Sequence, residues 1–219
     1  MKRISSIKQI FKSYSSEPFP TKLFISIRYL VCPWDDILKS LEKGESLLDI
    51  GCGHGLLLHL AYKEKPSMIL TGTDHDDKKI DIAKKSAVVK NMAFLYGSES
   101  EKLKDSLFDA VTLIDVLYSI PTENWPQIFS MVKKHLKPDG RLIIKETVTS
   151  PKWKYYICLL QEIVAIKILK YTKGDSPTLP PASFYVQMLE KNGFIMAEER
   201  RVDYGYIWPH HLFIAGKQA

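Results

Sequence analysis

Asp49-Ile50-Gly51-Cys52-Gly53-His54-Gly55 is the stretch on which the reading of this chain turns. It follows Ser46-Leu47-Leu48, a short apolar run of the kind that forms a buried strand, and precedes residues 55–64, whose pattern is helical. Glycines between a strand and a helix permit a tight turn and let a ligand approach the backbone. The helix that follows offers unpaired N–H groups and the positive end of a dipole, suited to a carboxylate or phosphate. Asp74 ends a second strand, residues 68–73, and stands 19 residues after Gly55. That spacing suits an acid gripping the two hydroxyls of a ribose.

A dinucleotide loop reads GxGxxG. Here the spacing is GxGxG, Leu56 stands where the last glycine would be, and Asp49 lies two residues before the first glycine. Both departures favour a nucleoside with a short charged tail over a pyrophosphate. The plainer alternative is a turn made by glycines and a helix cap made by Asp74.

Outward from the loop, apolar runs alternate with helical patterns. Residues 76–90 form an amphipathic helix, 92–97 a third strand and 108–116 a fourth. A helix near 123–136 is stopped by the turn Lys137-Pro138-Asp139-Gly140, and a fifth strand follows at 141–146. This alternation predicts a parallel sheet with right-handed crossovers. The end differs. After a helix near 181–192, Asn192-Gly193 closes the turn, and 194–202 and 211–217 are two strands with only a loop between them. They predict an antiparallel strand at the sheet edge.

The motifs LLDIGCGHG, TGTD, FDAVTLIDVLYSIP and LKPDGRLIIKE, in this order, resemble those of the class I S-adenosylmethionine-dependent methyltransferases. The resemblance covers roughly residues 40–148. It implies an α/β, Rossmann-like three-layer sandwich with a seven-stranded, mostly parallel sheet and an antiparallel last strand. It implies S-adenosylmethionine as cofactor, with Asp49, Gly51, Cys52, Gly53 and Gly55 along the methionine part. Asp74 would take the ribose hydroxyls, His75 would lie near adenine, and Ser98 and Glu99 would flank it. Asp115 and Val116 would follow the fourth strand near the methyl group, beside Tyr118. Many members carry Asp where Ser98 stands, and Glu99 is then the neighbouring acid.

Ligands of open parallel sheets bind beyond the carboxyl ends of the strands. That rule adds Lys145, Glu146 and the loop 203–210, with Tyr204, Tyr206, Trp208 and His210. Methyl transfer from a sulfonium is an in-line displacement that depends mainly on alignment. Where a base is needed, His210 has the right intrinsic acidity, and Tyr118 and Glu146 complete the catalytic candidates. His54 and His211 are secondary candidates, and His59 and His135 are read as structural.

Domain organisation is read as an N-terminal helical cap, 1–43, and a methyltransferase domain, 44–219, with a helical insertion at about 151–175. The chain carries a formal charge of +6. Residues 1–43 hold eight Lys/Arg against four Asp/Glu, and 152–173 hold five Lys against one Glu. Both basic segments are rich in aromatic and aliphatic residues. They point to an apolar acceptor with an anionic part, to an anionic membrane surface, or to a solvated basic face over ordinary core packing. The expected acceptor is small or lipid-like. RNA or protein methylation, or cofactor binding without catalysis, are the alternatives, and no specific nucleic-acid partner is expected.

The cysteines Cys32, Cys52 and Cys158 are too scattered for a zinc site or a disulfide framework. They are read as inert thiols, and no metal is expected. The basic N-terminus lacks the apolar core of a signal peptide, and no run reaches the length of a bilayer span. The protein is therefore expected to be cytoplasmic.

Overall fold

The structure is a computed structural model, and it describes residues 12–41, 45–87, 89–157 and 179–218. Seven strands form one sheet in the order β3-β2-β1-β4-β5-β7-β6. The chain divides into two compact units, Met1–Ser106 and Leu107–Ala219.

The first unit contains the parallel strands β1 (Ser46–Ile50), β2 (Ile69–Asp74) and β3 (Met92–Tyr96). Asp49 pairs with Gly72, and Asp74 with Tyr96. Parallel register thus brings the carboxyl ends Ile50, Asp74 and Tyr96 to one edge. Helices α1 (Phe19–Val31) and α2 (Trp34–Ser40) precede the sheet. Helices α3 (Leu56–Glu64) and α4 (Asp77–Ser86) make the crossovers. Leu56, Leu57, Leu58, Leu60 and Ala61 bury α3. The α4 helix starts where the Asp76 side chain accepts from the Lys78 and Lys79 N–H groups. It ends four residues earlier than its amphipathic pattern predicts. The Ser86 hydroxyl donates back to the Ala83 carbonyl, and Ala87 turns to an extended conformation.

In the second unit β4 (Phe108–Ile114) is parallel to β5 (Leu136–Thr147). Strands β6 (Phe194–Arg201) and β7 (His210–Lys217) are antiparallel, with β7 between β5 and β6. The last strand is antiparallel as expected, but it lies inside the sheet, and the edge strand is β6. Helix α5 is Trp125–His135 and α6 is Ala182–Lys191. The core stacks Trp125 on Tyr185 and Tyr185 on Phe213, each with ring centroids 5.2 Å apart.

One boundary moved. The Lys137–Gly140 turn lies inside β5 rather than before it. Leu136 pairs with Phe108, and the next pair is Arg141 with Ala110. Residues 137–140 therefore loop out as a bulge, folded so closely that a Cβ on Gly140 would lie 2.8 Å from Leu136 Cδ1.

Most of the expected insertion, 158–178, lies outside the described residues, as does Cys158. Cys32 and Cys52 are buried free thiols. No described helix is long and apolar enough to cross a membrane.

Candidate functional site

In the first unit the glycine loop is stitched to the end of β2. The N–H groups of Gly51 and Cys52 both donate to the Thr73 carbonyl, at 2.7 and 3.0 Å. The Gly53 N–H donates to Asp74 Oδ2 at 2.8 Å, and the Asp76 N–H to Oδ1 at 2.9 Å. Asp74, buried, therefore holds the loop on one side and the start of α4 on the other. A carboxylate has about four acceptor positions, so two remain for a ligand's hydroxyls. The cap of α4 is Asp76 rather than Asp74.

Gly51, Gly53 and Gly55 all have left-handed backbones, with φ of 76°, 54° and 84°. Gly55 has a second constraint, because a Cβ there would lie 2.4 Å from Phe94 Cζ. Gly53 has nothing within 4 Å of that position, so the backbone there is open to a ligand. Gly55 begins α3 without a side-chain cap, which leaves that helix start able to receive a carboxylate. Asp49 is buried in β1, 3% exposed. The Cys52 thiol is pushed well up by burial, then by Asp49 and Asp74.

His75 is almost fully exposed, and Ser98 is exposed. Glu99 is held below the usual carboxylate range, first by Lys102 and also by the Tyr96 N–H. Lys84 stands 3.6 Å from it. Glu99 is thus an ionised, tethered acid.

The N-terminal segment closes on this loop. The buried Tyr14 donates its hydroxyl to the His54 carbonyl at 2.7 Å. Phe24 of α1 meets the His54 ring edge-on, centroids 5.7 Å apart. Desolvation, helped by Lys79, lowers His54 to about 4, so its ring is neutral at pH 7. His59 pairs with Ser86 Oγ at 2.8 Å and is structural.

In the second unit the turn after β4 is held from β5. Asp115 has a left-handed φ of 54°, and its N–H donates to the Lys145 carbonyl at 2.8 Å. Lys145 Nζ donates to Asp115 Oδ1 at 2.6 Å. Glu146 Oε1 accepts the N–H groups of Val116 (2.9 Å) and Leu117 (2.7 Å). Glu146 is completely buried, and its Oε2 has no hydrogen-bond partner. Burial, then the nearby Asp115, raise its carboxyl to about 8. Such a group grips a backbone turn. Tyr118 lies in the short 3-10 helix Leu117–Ser119, partly exposed.

His210 is buried, with Tyr206 and Trp208 at centroid distances of 5.4 and 6.2 Å. His211 pairs with Glu199 at 3.0 Å and is lowered by burial. Tyr204 is fully exposed.

Two features escaped the sequence reading. Lys145, a residue at the carboxyl end of β5, pairs with Asp115 rather than with its neighbour Glu146. Strand alternation sends adjacent residues to opposite faces, and that signal was available. Lys154 was unremarked. Its buried Nζ donates to the Asp203 carbonyl (2.8 Å), Asp203 Oδ2 (2.9 Å) and the Tyr206 carbonyl (2.7 Å). It pins the 203–206 loop, and nothing in its local sequence marks it. Among the described residues no His/Cys/Asp/Glu cluster could hold a metal ion.

Residues 27–199 match the model of the methyltransferase domain family. The chain belongs to that family. Its members here are S-adenosylmethionine-dependent enzymes, and the cradle in the first unit fits that cofactor: a left-handed glycine loop, a buried acid with spare acceptors and an uncapped helix start. The chain is 28% identical over 168 residues to the ubiquinone biosynthesis O-methyltransferase of Coxiella burnetii, covering 74% of this chain and 68% of that enzyme. It is 28% identical over 140 residues to a tRNA N(3)-methylcytidine methyltransferase of Schizosaccharomyces pombe, covering 57% of this chain but only 45% of that one. Among solved structures, magnesium protoporphyrin IX methyltransferase from Synechocystis, with bound S-adenosylhomocysteine, superposes with a TM-score of 0.63 at 18% identity. That match covers 84% of this methyltransferase and 82% of that chain.

Proposed function

We propose that this methyltransferase acts on a small or lipid-like acceptor. The observation that carries the reading is the pairing of the cradle with an apolar N-terminal helix that packs on it through Phe24 and His54. The likeness to a ubiquinone O-methyltransferase supports the same acceptor class. When bound, S-adenosylmethionine supplies an electrophilic methyl carbon for in-line displacement.

The chain's own groups bind and orient. Asp74 holds the ribose hydroxyls through its remaining acceptor positions, and the open backbone at Gly53 and the start of α3 receive the methionine part. Asp49, Gly51, Cys52 and Gly55 shape that loop. His75, Ser98 and Glu99 bound the adenine, and Asp115 and Val116 complete the cofactor contacts. Tyr118 and His210 are the acceptor-side residues. Glu146 acts through the 116–117 turn it holds. The N-terminal segment serves as a cap on the glycine loop through Tyr14 and Phe24.

The test is turnover of S-adenosylmethionine to S-adenosylhomocysteine with phenolic and lipid-like hydroxyl acceptors. Cofactor binding with no turnover on any of them would favour a non-catalytic binding protein. Turnover with transfer RNA instead would favour the second reading, for which the fission yeast relative speaks.

A further inference from the structure

The helix Phe19–Val31 leaves an apolar face uncovered. Its exposed residues are Phe19, Pro20, Leu23, Phe24, Ile27 and Leu30, all apolar, whereas Ile25 and Ser26 are the buried ones. Five of them are large side chains with 43 to 64% of their surface exposed. At about 100° per residue, Phe19, Leu23, Ile27 and Leu30 fall within an arc of roughly 80°. Water-facing helices carry their polar residues on that side, and a contiguous exposed apolar face marks a contact surface.

Charge and chemistry say which contact. The helix has no acidic residue, and its two cations, Lys22 and Arg28, lie outside the apolar arc, about 60° from one edge and about 100° from the other. The first 34 residues of the chain contain six Lys/Arg and a single acid, Glu17. A second copy would bring the same positive margin against this one. A protein partner needs hydrogen bonds at its rim, and the arc itself offers no side-chain donor or acceptor. A lipid surface asks for neither, and an anionic one matches the helix's cations. Thirteen residues give a helix of about 20 Å, long enough to lie in the interface and too short to cross it.

We propose that Phe19–Val31 is a docking helix for an anionic membrane surface. It lies in the headgroup plane with Phe19, Leu23, Ile27 and Leu30 inserted. The same helix touches the glycine loop through Phe24 and His54, so docking places the cofactor cradle next to the bilayer. This extends the lipid-like acceptor reading, and it is tested without any acceptor.

The experiment is cosedimentation of the full chain with phosphatidylcholine vesicles, with and without phosphatidylglycerol, at low salt. The expected result is binding to the anionic vesicles that falls with added salt. Leu23→Ser/Ile27→Ser should lower the partition coefficient at least tenfold while thermal unfolding and S-adenosylmethionine affinity stay near wild type. Should that variant fold poorly, Phe19→Ser, at the helix start and 64% exposed, replaces it with an expected loss of several fold. No binding to anionic vesicles overturns the proposal, as does binding that neither variant changes. A concentration-dependent dimer in sedimentation velocity that the double variant dissolves, without vesicle binding, overturns it in favour of a second copy. Vesicle binding without methylation of any lipid-like acceptor upholds the docking helix and removes the acceptor reading instead.

Discussion

Lys145 Nζ lies 2.6 Å from Asp115 Oδ1, and both side chains are almost completely buried. The acid is the one non-glycine residue among those described with a positive φ. An uncommon backbone conformation is thus fixed by a buried ion pair and by the Asp115 N–H on the Lys145 carbonyl.

Removing one partner strands the other charge. Lys145→Met should destabilise the protein by about 3–5 kcal/mol. Lys145→Met/Asp115→Asn should recover a substantial part of that loss, because no buried charge is then left alone. Urea unfolding of the two single variants and the double variant measures the coupling. Strictly additive losses would show that the pair is not a unit.

Glu146 makes stability depend on pH. Its folded carboxyl titrates at about 8, against about 4.3 in an unfolded chain. Between these values the folded state holds more protons than the unfolded one. The stability present below about pH 4.3 is therefore lost as pH rises toward about 8. Glu146→Gln keeps an acceptor for Val116 and Leu117 but cannot ionise. Relative to wild type it should gain stability between pH 5 and pH 8.5. Parallel curves of unfolding free energy against pH for the two proteins would refute this.

Two glycines in one loop should respond differently. Gly55→Ala meets both a positive φ and the Phe94 ring, and should cost about 2 kcal/mol or more in stability. Gly53→Ala has the φ problem alone, at about 1 kcal/mol. Its methyl group would stand where the backbone is open to the methionine part, so its main effect should be on cofactor affinity. Thermal unfolding and calorimetric titration of S-adenosylmethionine separate the two. Equal affinity in Gly53→Ala and wild type would remove the loop from the cofactor site.

Asp74→Asn retains the shape of the side chain and one acceptor oxygen. Losing charged acceptance should cost about 1.5–3 kcal/mol of cofactor binding, roughly ten- to hundredfold in affinity. Unchanged calorimetric affinity would sink the ribose assignment.

What the sequence made legible follows from where the information resides. The strands and the glycine loop come from local patterns, because a buried parallel strand must be apolar and a left-handed turn must be glycine. Asp74 was recognisable because its spacing from the loop reflects one crossover unit. The bulge at 137–140 was not, since Pro138-Asp139-Gly140 makes a turn whether or not a strand resumes on the same path. The grip of Glu146 on Val116 and Leu117 was also hidden. It joins residues 29 and 30 apart, and only strand pairing reveals which end of β5 meets the turn. Lys154 is the extreme case, a surface-looking lysine in an aromatic stretch whose partners lie about fifty residues downstream. The exposed apolar face of α1 was invisible too, because the helical pattern shows an apolar helix and does not show which side is left uncovered.

Tyr14 reaches across 40 residues to the carbonyl of His54. The glycine loop is therefore not a portable cassette. A lineage that exchanges its N-terminal segment to accept a new substrate also discards a hydrogen bond beneath its own donor loop. Changes of acceptor and changes in donor affinity should then arise together, and a chimera joining a foreign N-terminus to this sheet would inherit a loop missing one of its props.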